Sequence, residues 1–349
     1  MSDGMRGHRS GRGTMTEAKD AAGPISRRRA TAWLAAAGLA VAGAARAQGG
    51  GAWPTGPVRF IGLFAPGGGT DILSRIWCAK MAEITGQQFA VENRTGSAGN
   101  VGTEAIARAA PDGGTIGLGS VGALAIAPTL YARLPFDVNR DFTYISGLWR
   151  QPNLLVANND VPARTVPELI ALLKANPGKY TFGSAGAGTS LHLSGEMFKS
   201  MAGVDMLHVP YRGGAPAHVD LLAGRVHMIF DNISGVLASA REGKVRALAV
   251  TGKERSPQAP ETPAMAEFLP GFEVTTWGAV IAPAGLPGPV VERLSALTKR
   301  ALESPDLIAR FRDNGAAPWW TTPAELAEFR RQDEMRFAPL IRASGARVE

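Results

Sequence analysis

The sequence is poor in cysteine, in charge and in long apolar runs, and each shortage excludes a class of protein. Its 349 residues include one cysteine, so an intrachain disulfide is impossible. No run after residue 52 approaches 18 consecutive apolar residues, so nothing there predicts a membrane span. Charged residues make up only 19%, whereas glycine (43) and proline (24) are plentiful. This balance favours a compact fold with many tight turns over a disordered chain.

The ionisable side chains form no pattern of a metal or catalytic centre. There is no H-E-x-x-H pair and no cysteine cluster, and Cys78 lies in an apolar helical pattern typical of a buried thiol. No G-x-S-x-G elbow occurs, and Ser190 and His192 stand two positions apart, where helical side chains diverge. We predict no enzyme activity, no metal and no cofactor. A secreted hydrolase with a Ser-His-Asp triad is an alternative.

The net charge of +7 lies mainly in the first 47 residues. Residues 1–47 hold eight basic and three acidic side chains, a net of +5, and residues 48–349 hold 29 and 27, a net of +2. No basic stripe interleaved with aromatic residues follows. The charge therefore gives no case for binding nucleic acid.

Residues 1–47 are predicted to be a signal peptide. Three arginines at 27–29 precede an apolar run at 32–42, and the segment ends in A-R-A at 45–47. We expect cleavage after residue 47 and export to the periplasm, by the Sec route or, given the paired arginines, the twin-arginine route. A disordered basic tail before an ordinary helix is the alternative.

Short strand-like runs alternate with amphipathic helices, which predicts an α/β fold with mostly parallel sheets. The predicted strands are Val58–Phe64, Phe89–Glu92, Thr115–Gly119, Leu154–Ala157, Tyr180–Gly183, Met206–Val209, Val226–Phe230, Arg246–Thr251 and Thr276–Ala282. Helices are expected after Thr165 and Thr322, because each is followed three residues later by a glutamate that completes a capping box. Pro289 opens a further helix.

Four glycine-rich loops each follow a predicted strand and precede a predicted helix. They are Phe64–Asp71, Gly119–Pro128, Gly183–Glu196 and the segment with Tyr211 and Gly213. Glycine lets the backbone approach a ligand closely, and a helix N-terminus offers unpaired N–H groups to an anion. The first loop lacks the Gly-Lys-Ser/Thr of a Walker motif and matches the dinucleotide pattern weakly. A turn that only caps a helix is the alternative for that loop.

Nine motifs in order over residues 55–349 resemble the Bug/TctC family, the extracytoplasmic solute receptors of tripartite tricarboxylate transporters. They include FAPGGGTDILSR, GQQFAVENRTGSAGNVG, TVPELIALLKANPGK and HVPYRGGAPAHVDLLAGRV. The resemblance implies a type II periplasmic-binding-protein fold, two α/β lobes with a ligand cleft between them. Residues 55–153 and 276–349 are then lobe 1, and residues 154–275 are lobe 2. Gly114 and Thr95 depart from the family pattern, which bears on ligand specificity.

The resemblance also implies the ligand site and the partners. The candidate ligand-binding residues are Ala65, Pro66, Gly67, Gly68, Thr70, Asp71, Ser120 and Gly122 in lobe 1, and Gly186, Gly188, Thr189, Ser190, His192, Tyr211 and Asp231 in lobe 2. The expected function is capture of a small organic carboxylate and its delivery to membrane transporter subunits by a monomeric receptor. The alternative is a ligand-dependent periplasmic partner of a sensor kinase.

Overall fold

The structure, a computed structural model, describes residues 53–344, and the side chains up to residue 342. The predicted signal peptide and its cleavage site lie outside the described residues. Within them, no helix combines the length and the apolar character that crossing a bilayer requires.

Ten described strands join into one mixed sheet in the order β2-β1-β3-β9-β4-β7-β5-β6, with β8 and β10 paired to β4. The strands are β1 (Val58–Gly62), β2 (Phe89–Asn93), β3 (Thr115–Ser120), β4 (Phe142–Ala157), β5 (Thr181–Ser184), β6 (Leu207–Pro210), β7 (Met228–Asn232), β8 (Arg246–Val250), β9 (Thr275–Pro283) and β10 (Ala317–Pro318). Two parallel groups, β2-β1-β3 and β7-β5-β6, flank the long antiparallel pair of β4 and β9.

Helices connect the strands and cover the sheet. They are α1 (Gly69–Thr85), α2 (Asn100–Ala107), α3 (Ala127–Leu130), α4 (Val166–Ala175), α5 (Ser190–Ala202), α6 (Gly214–Leu222), α7 (Ile233–Arg241), α8 (Gly288–Leu302), α9 (Pro305–Asp313) and α10 (Pro323–Ser344). A π-helical turn, Gly122–Ile126, leads into α3, and 3₁₀ turns occur at Ser97–Gly99 and Met265–Glu267.

The long strand β4 changes partners along its length. Its first part, residues 142–152, pairs with β9. Residues 153–157 pair with β7, and residues 154–157 pair with β8 on the other side. The sequence predicted a strand only from Leu154, where a continuous apolar run begins. The earlier part mixes glycine and polar residues, and backbone pairing with β9 makes it a strand. The strand links the two parallel groups directly.

The helix starts follow the capping signals. The Thr322 hydroxyl accepts a hydrogen bond from the Glu325 N–H at 3.2 Å, and the Glu325 carboxylate accepts from the Thr322 N–H at 2.8 Å. The Thr165 hydroxyl accepts from the Glu168 N–H at 3.3 Å, but the Glu168 carboxylate binds the N–H of Arg164. Both predicted helices form. At α4 the glutamate binds the N–H of the residue before the cap, so the capping box is shifted by one residue.

Candidate ligand site

The first glycine loop, between β1 and α1, is held in place by one carboxylate. Asp71 accepts hydrogen bonds from the Gly67 N–H, Arg75 Nε and Asn93 Nδ2, each at 2.9 Å. Burial opposes ionisation of Asp71, but these three donors outweigh it and lower the pKa of the carboxyl below its usual 3.8. Both carboxylate oxygens are therefore engaged within the loop and its supports.

The second glycine loop, between β5 and α5, is held by neutral groups. The Thr189 hydroxyl donates to the Gly186 carbonyl at 2.8 Å and accepts from the His192 N–H at 3.3 Å, which caps α5. His192 Nδ1 accepts from the Gly188 N–H at 3.3 Å. Gly186 (φ 119°) and Gly188 (φ 98°) adopt backbone conformations that other residues rarely reach.

Two histidines behind the second loop contact each other. The rings of His192 and His208 lie 4.3 Å apart between centroids, and His208 Nε2 is 2.7 Å from the Ser184 hydroxyl. Burial lowers the pKa of both, that of His208 to about 3. Both imidazoles are therefore neutral at pH 7.

A small cavity of about 20 Å³ lies where the two loops meet. Seven candidate residues line it: Gly68, Thr70, Ser120, Gly122, Thr189, Ser190 and Asp231. Eight further residues complete its wall: Phe64, Gly69, Val121, Ala185, Leu191, Gly214, Asn232 and Thr276. The remaining eight candidates do not line it: Ala65, Pro66, Gly67, Asp71, Gly186, Gly188, His192 and Tyr211.

Among the candidates outside the wall, Tyr211 has a clear structural role. Its hydroxyl donates to Asp220 Oδ2 at 2.8 Å, and its ring packs over Gly183. A signal for Asn232 existed in the sequence, since it follows Asp231 at a strand end. Thr276 lies inside strand β9 and has no such signal.

Backbone of the second glycine loop lies close to the segments that follow β2 and β3. A Cβ built on Gly122 would lie 3.2 Å from the Gly188 carbonyl oxygen and 3.5 Å from Thr189 Cα. A Cβ on Gly186 would lie 3.4 Å from Ala98 Cα. Main chain from one parallel group of strands thus rests on main chain from the other, with no room for a larger side chain at Gly122.

Four helix N-termini converge on this cavity. Gly69, Ser190 and Gly214 are the first residues of α1, α5 and α6, and Asn232 immediately precedes α7. Each N-terminus carries partial positive charge on unpaired N–H groups. Among residues 53–344, no lysine, arginine or histidine lines the cavity. The arrangement suits an anion bound by backbone dipoles.

Asp231 contributes a buried carboxyl to the cavity wall. Its Oδ1 accepts from the Asn232 N–H at 2.7 Å, and its Oδ2 has no hydrogen-bond partner among the described residues. Burial raises the pKa of Asp231 to about 7. Asn232 Oδ1 and Ser234 Oγ, close by, likewise have no partner among residues 53–344. The wall therefore holds spare hydrogen-bonding capacity, which buried polar groups rarely keep without a purpose.

Comparison with known proteins defines the class of protein. The model of the tripartite tricarboxylate transporter family receptor, TctC, matches residues 73–346. The fold is that of the periplasmic solute-binding proteins, as the sequence predicted. The chain belongs to the TctC family of periplasmic solute receptors, and this confirms the resemblance read from its motifs.

Two relatives and two solved structures illustrate the match. The chain is 40% identical over 319 residues to a UPF0065 protein from the tcbD–tcbE intergenic region of Pseudomonas sp. strain P51, covering 91% of this chain and 94% of that one. It is 35% identical to BugT of Bordetella pertussis, covering 89% and 96%. The R. palustris structure of Rpa4515 with adipate has a TM-score of 0.83 at 34% identity, covering 85% and 100%. MatC from Rhodopseudomonas palustris, with bound malate, has a TM-score of 0.79 at 32% identity, covering 83% and 100%.

Proposed function

We propose that this receptor binds a small organic carboxylate in the cavity between its glycine loops and delivers it to a membrane transporter. The observation that carries the proposal is the convergence of four helix N-termini on a cavity without a cationic side chain. Relatives with adipate and malate bound support the same ligand class.

A carboxylate fits this lining for a physical reason. Hydrogen bonds from N–H groups to an ionised acceptor are short and about twice as strong as neutral ones. In a buried ion pair two full charges must be removed from water, which is its main cost. When backbone dipoles bind the anion, only the charge of the ligand is desolvated. The hydroxyls of Thr70 and Ser190 make no hydrogen bond within the described residues, so both can donate to the ligand.

The cavity must open to admit such a ligand. A volume of about 20 Å³ holds about one water molecule, since one water needs 10–15 Å³ by this measure. We assign residues 55–153 and 276–349 to one lobe and residues 154–275 to the other, with the loops contacting across the cleft. The partner change of β4 at residues 152 and 153 supports this boundary. Rotation about β4 and β9 would part the loops, a hinge transition that the ligand reverses.

The same proposal covers location and partners. The arginine-rich segment before residue 47 would direct export, and the ligand-bound form would dock on membrane transporter subunits as a monomer. Catalysis is not part of the proposal. His192 Nδ1 already accepts from the Gly188 N–H, so this nitrogen is not free to act as a base toward Ser190.

A thermal-shift assay with succinate, malate and adipate tests the proposal. A ligand at 100 times its Kd stabilises the folded state by about 2.7 kcal/mol, which raises the Tm by several degrees. Gly122→Val should abolish this shift, because its side chain would collide with the Gly188 carbonyl when the loops close. Gly288→Val is the matched control, since Gly288 is exposed and has open space around its Cβ position. Absence of any shift with a broad panel of small acids would refute the proposal.

A further inference from the structure

A second and much larger cavity lies on the opposite face of β9. We call it the C-terminal groove; it has a volume of about 740 Å³ and lies between residues 150–152 of β4, the loop 252–258, and helices α9 and α10. Thr275 lines this groove, whereas Thr276 lines the ligand cavity. Because successive side chains of a strand point to opposite faces, the two cavities are separate sites.

An arginine without an acidic partner stands in the groove. The Arg150 guanidinium lies 4.4 Å from the ring centroid of Trp319 and 4.3 Å from that of Phe329. No carboxylate among residues 53–342 comes within 4.0 Å of it. Burial lowers the pKa of Arg150, yet an arginine keeps its charge at neutral pH. The two rings orient this cation but neutralise no charge.

Each of the other arginines on the groove is already paired. Arg255 binds Glu267 through two nitrogens at 2.8 and 2.7 Å. Arg336 lies 2.8 Å from Asp333, and Arg312 lies 3.8 Å from its neighbour Asp313. Among the described residues, Arg150 is the groove arginine that makes no ion pair, although the charge of Asp333 in the same groove also acts on it.

The walls around Arg150 combine apolar surface with charged side chains. Phe329, the 37%-exposed Ile308 and three prolines, Pro152, Pro257 and Pro318, form much of the surface. A volume of about 740 Å³ lies within the range of small-molecule pockets, roughly 300–1,000 Å³. Three carboxylates, Glu254, Glu273 and Asp333, also line the groove. The arrangement therefore favours a ligand that places a single acidic group at Arg150 and an apolar body along the apolar part of the wall.

We propose that the C-terminal groove is a second binding site, for an organic monoanion with a flat apolar body whose acid group pairs with Arg150. A planar guanidinium binds a carboxylate through two parallel hydrogen bonds, which point charges do not provide. The aromatic rings that hold Arg150 fix its plane, so less side-chain entropy is lost on binding. This site does not depend on the ligand proposed for the cavity between the glycine loops.

Titration calorimetry with 2-naphthoate tests the proposal, with the Gly122→Val protein used to keep the acid out of the ligand cavity. In that background we expect Arg150→Gln to weaken binding at least tenfold, which is about 1.4 kcal/mol. Arg312→Gln, on the same groove but already paired, should change affinity less than twofold. The neutral alcohol 2-naphthalenemethanol should bind at least tenfold more weakly than the acid. Equal affinities of the Arg150→Gln and Arg312→Gln proteins would overturn the assignment.

A measurement on the unmutated chain guards against misfolding of the variants. We expect 2-naphthoate to shift the ¹⁵N indole resonances of Trp319, which contacts Arg150, and of Trp277, which donates to the groove residue Asp333 at 2.7 Å. Trp77, packed against Phe60 in the other part of the core, should not shift. Shifts of Trp77 alone, or unchanged Trp319 and Trp277 resonances, would contradict the site.

Discussion

The two glycine loops share one sequence pattern but are stabilised by opposite chemistry. The first loop is organised around the ionised Asp71, which binds the loop N–H of Gly67. The second is organised around the neutral Thr189 and His192, which bind the backbone of Gly186 and Gly188. The sequence pattern of strand, glycine loop and helix start therefore predicts the backbone path of the loop but not which side chain stabilises it.

The comparison also explains why Asp71 and His192 do not line the cavity. The amide N–H groups of a tight loop need partners, and the adjacent polar side chain supplies one. Asp71 and His192 are both used in this way. The loop groups that line the cavity without a hydrogen-bond partner among the described residues include the small hydroxyls of Thr70 and Ser190.

Asp71→Ala should give the largest effect on the first loop. The substitution removes three hydrogen bonds and leaves the Gly67 N–H, Arg75 and Asn93 without their common partner. We expect a loss of about 3 kcal/mol in unfolding free energy, measured by urea denaturation, and a drop of tenfold or more in carboxylate affinity. The control is Asp112→Ala. Asp112 is exposed, does not line the cavity, and accepts a single hydrogen bond of 2.8 Å from the Gly114 N–H. Equal losses in the two variants would show that Asp71 has no special role.

Alanine substitutions at one glycine of each loop should differ in their effect on stability, because the two glycines have different surroundings. Gly67 and Gly188 have similar positive φ angles, 81° and 98°, so alanine costs about 1 kcal/mol of backbone strain at either. A Cβ on Gly67 meets nothing within 4 Å, whereas one on Gly188 lies 2.8 Å from Leu130 Cδ2. Gly188→Ala should therefore destabilise by about 1–2 kcal/mol more than Gly67→Ala in the same denaturation assay. The reverse order would contradict the packing around the second loop.

The loops should respond to acid at different pH values. The pKa values of His192 and His208 in the folded state lie below 6.5. The stabilisation that comes from keeping them neutral is therefore complete above pH 6.5 and is lost as the pH falls toward the folded-state values. Ionised Asp71 stabilises the folded state fully above pH 3.8, and this stabilisation is lost only as the pH falls below that value. Between pH 7 and 5 we expect a loss of about 1 kcal/mol from the histidines, reduced because His208 is partly exposed.

Urea denaturation at pH 7, 6 and 5 measures this loss. A double variant, His192→Asn with His208→Gln, should lose less stability over that interval than the unmodified protein. The Asp71→Asn variant should keep the slope of the unmodified protein there, since Asp71 does not titrate between these pH values. A double variant with an unchanged slope would assign the acid sensitivity to other groups.

The smallest expected effects distinguish two adjacent hydroxyls of the second loop. Thr189 caps α5 with its side chain, whereas the Ser190 hydroxyl makes no hydrogen bond within the described residues. Thr189→Ala should cost about 1 kcal/mol of stability. Ser190→Ala should leave stability within 0.5 kcal/mol, roughly the scatter of neutral substitutions, and weaken carboxylate binding a few-fold in calorimetry. A Ser190→Ala protein with unaltered affinity would remove that hydroxyl from the ligand site.

Much of the fold was predictable because its signals are local. Capping boxes at Thr165 and Thr322 and the glycine loops each depend on a few neighbouring residues. The first part of β4 was missed because its pairing with β9 joins residues more than 120 positions apart, and no local pattern encodes it. For the same reason the sequence could not show that Thr276 lies in the cavity wall.

The cavity wall illustrates a second limit on what the sequence can predict, the direction in which a loop side chain points. A side chain in a glycine loop can face the ligand or bind its own backbone, and residue type does not decide between the two. Asp71 and Thr70 are neighbours, yet Thr70 lines the cavity and Asp71 does not. Asp71 instead accepts hydrogen bonds from the Gly67 N–H and from two side chains outside the loop, Asn93 on β2 and Arg75 one turn along α1.

The contact of Gly122 with the Gly188 carbonyl has a consequence for the rates of binding. If closed loops admit no ligand, every association event waits for the loops to part, and every dissociation event does too. We expect the observed association rate in stopped-flow experiments to level off at high ligand concentration, at the opening rate of the loops. Chemically different acids should then share the same limiting rate even where their affinities differ.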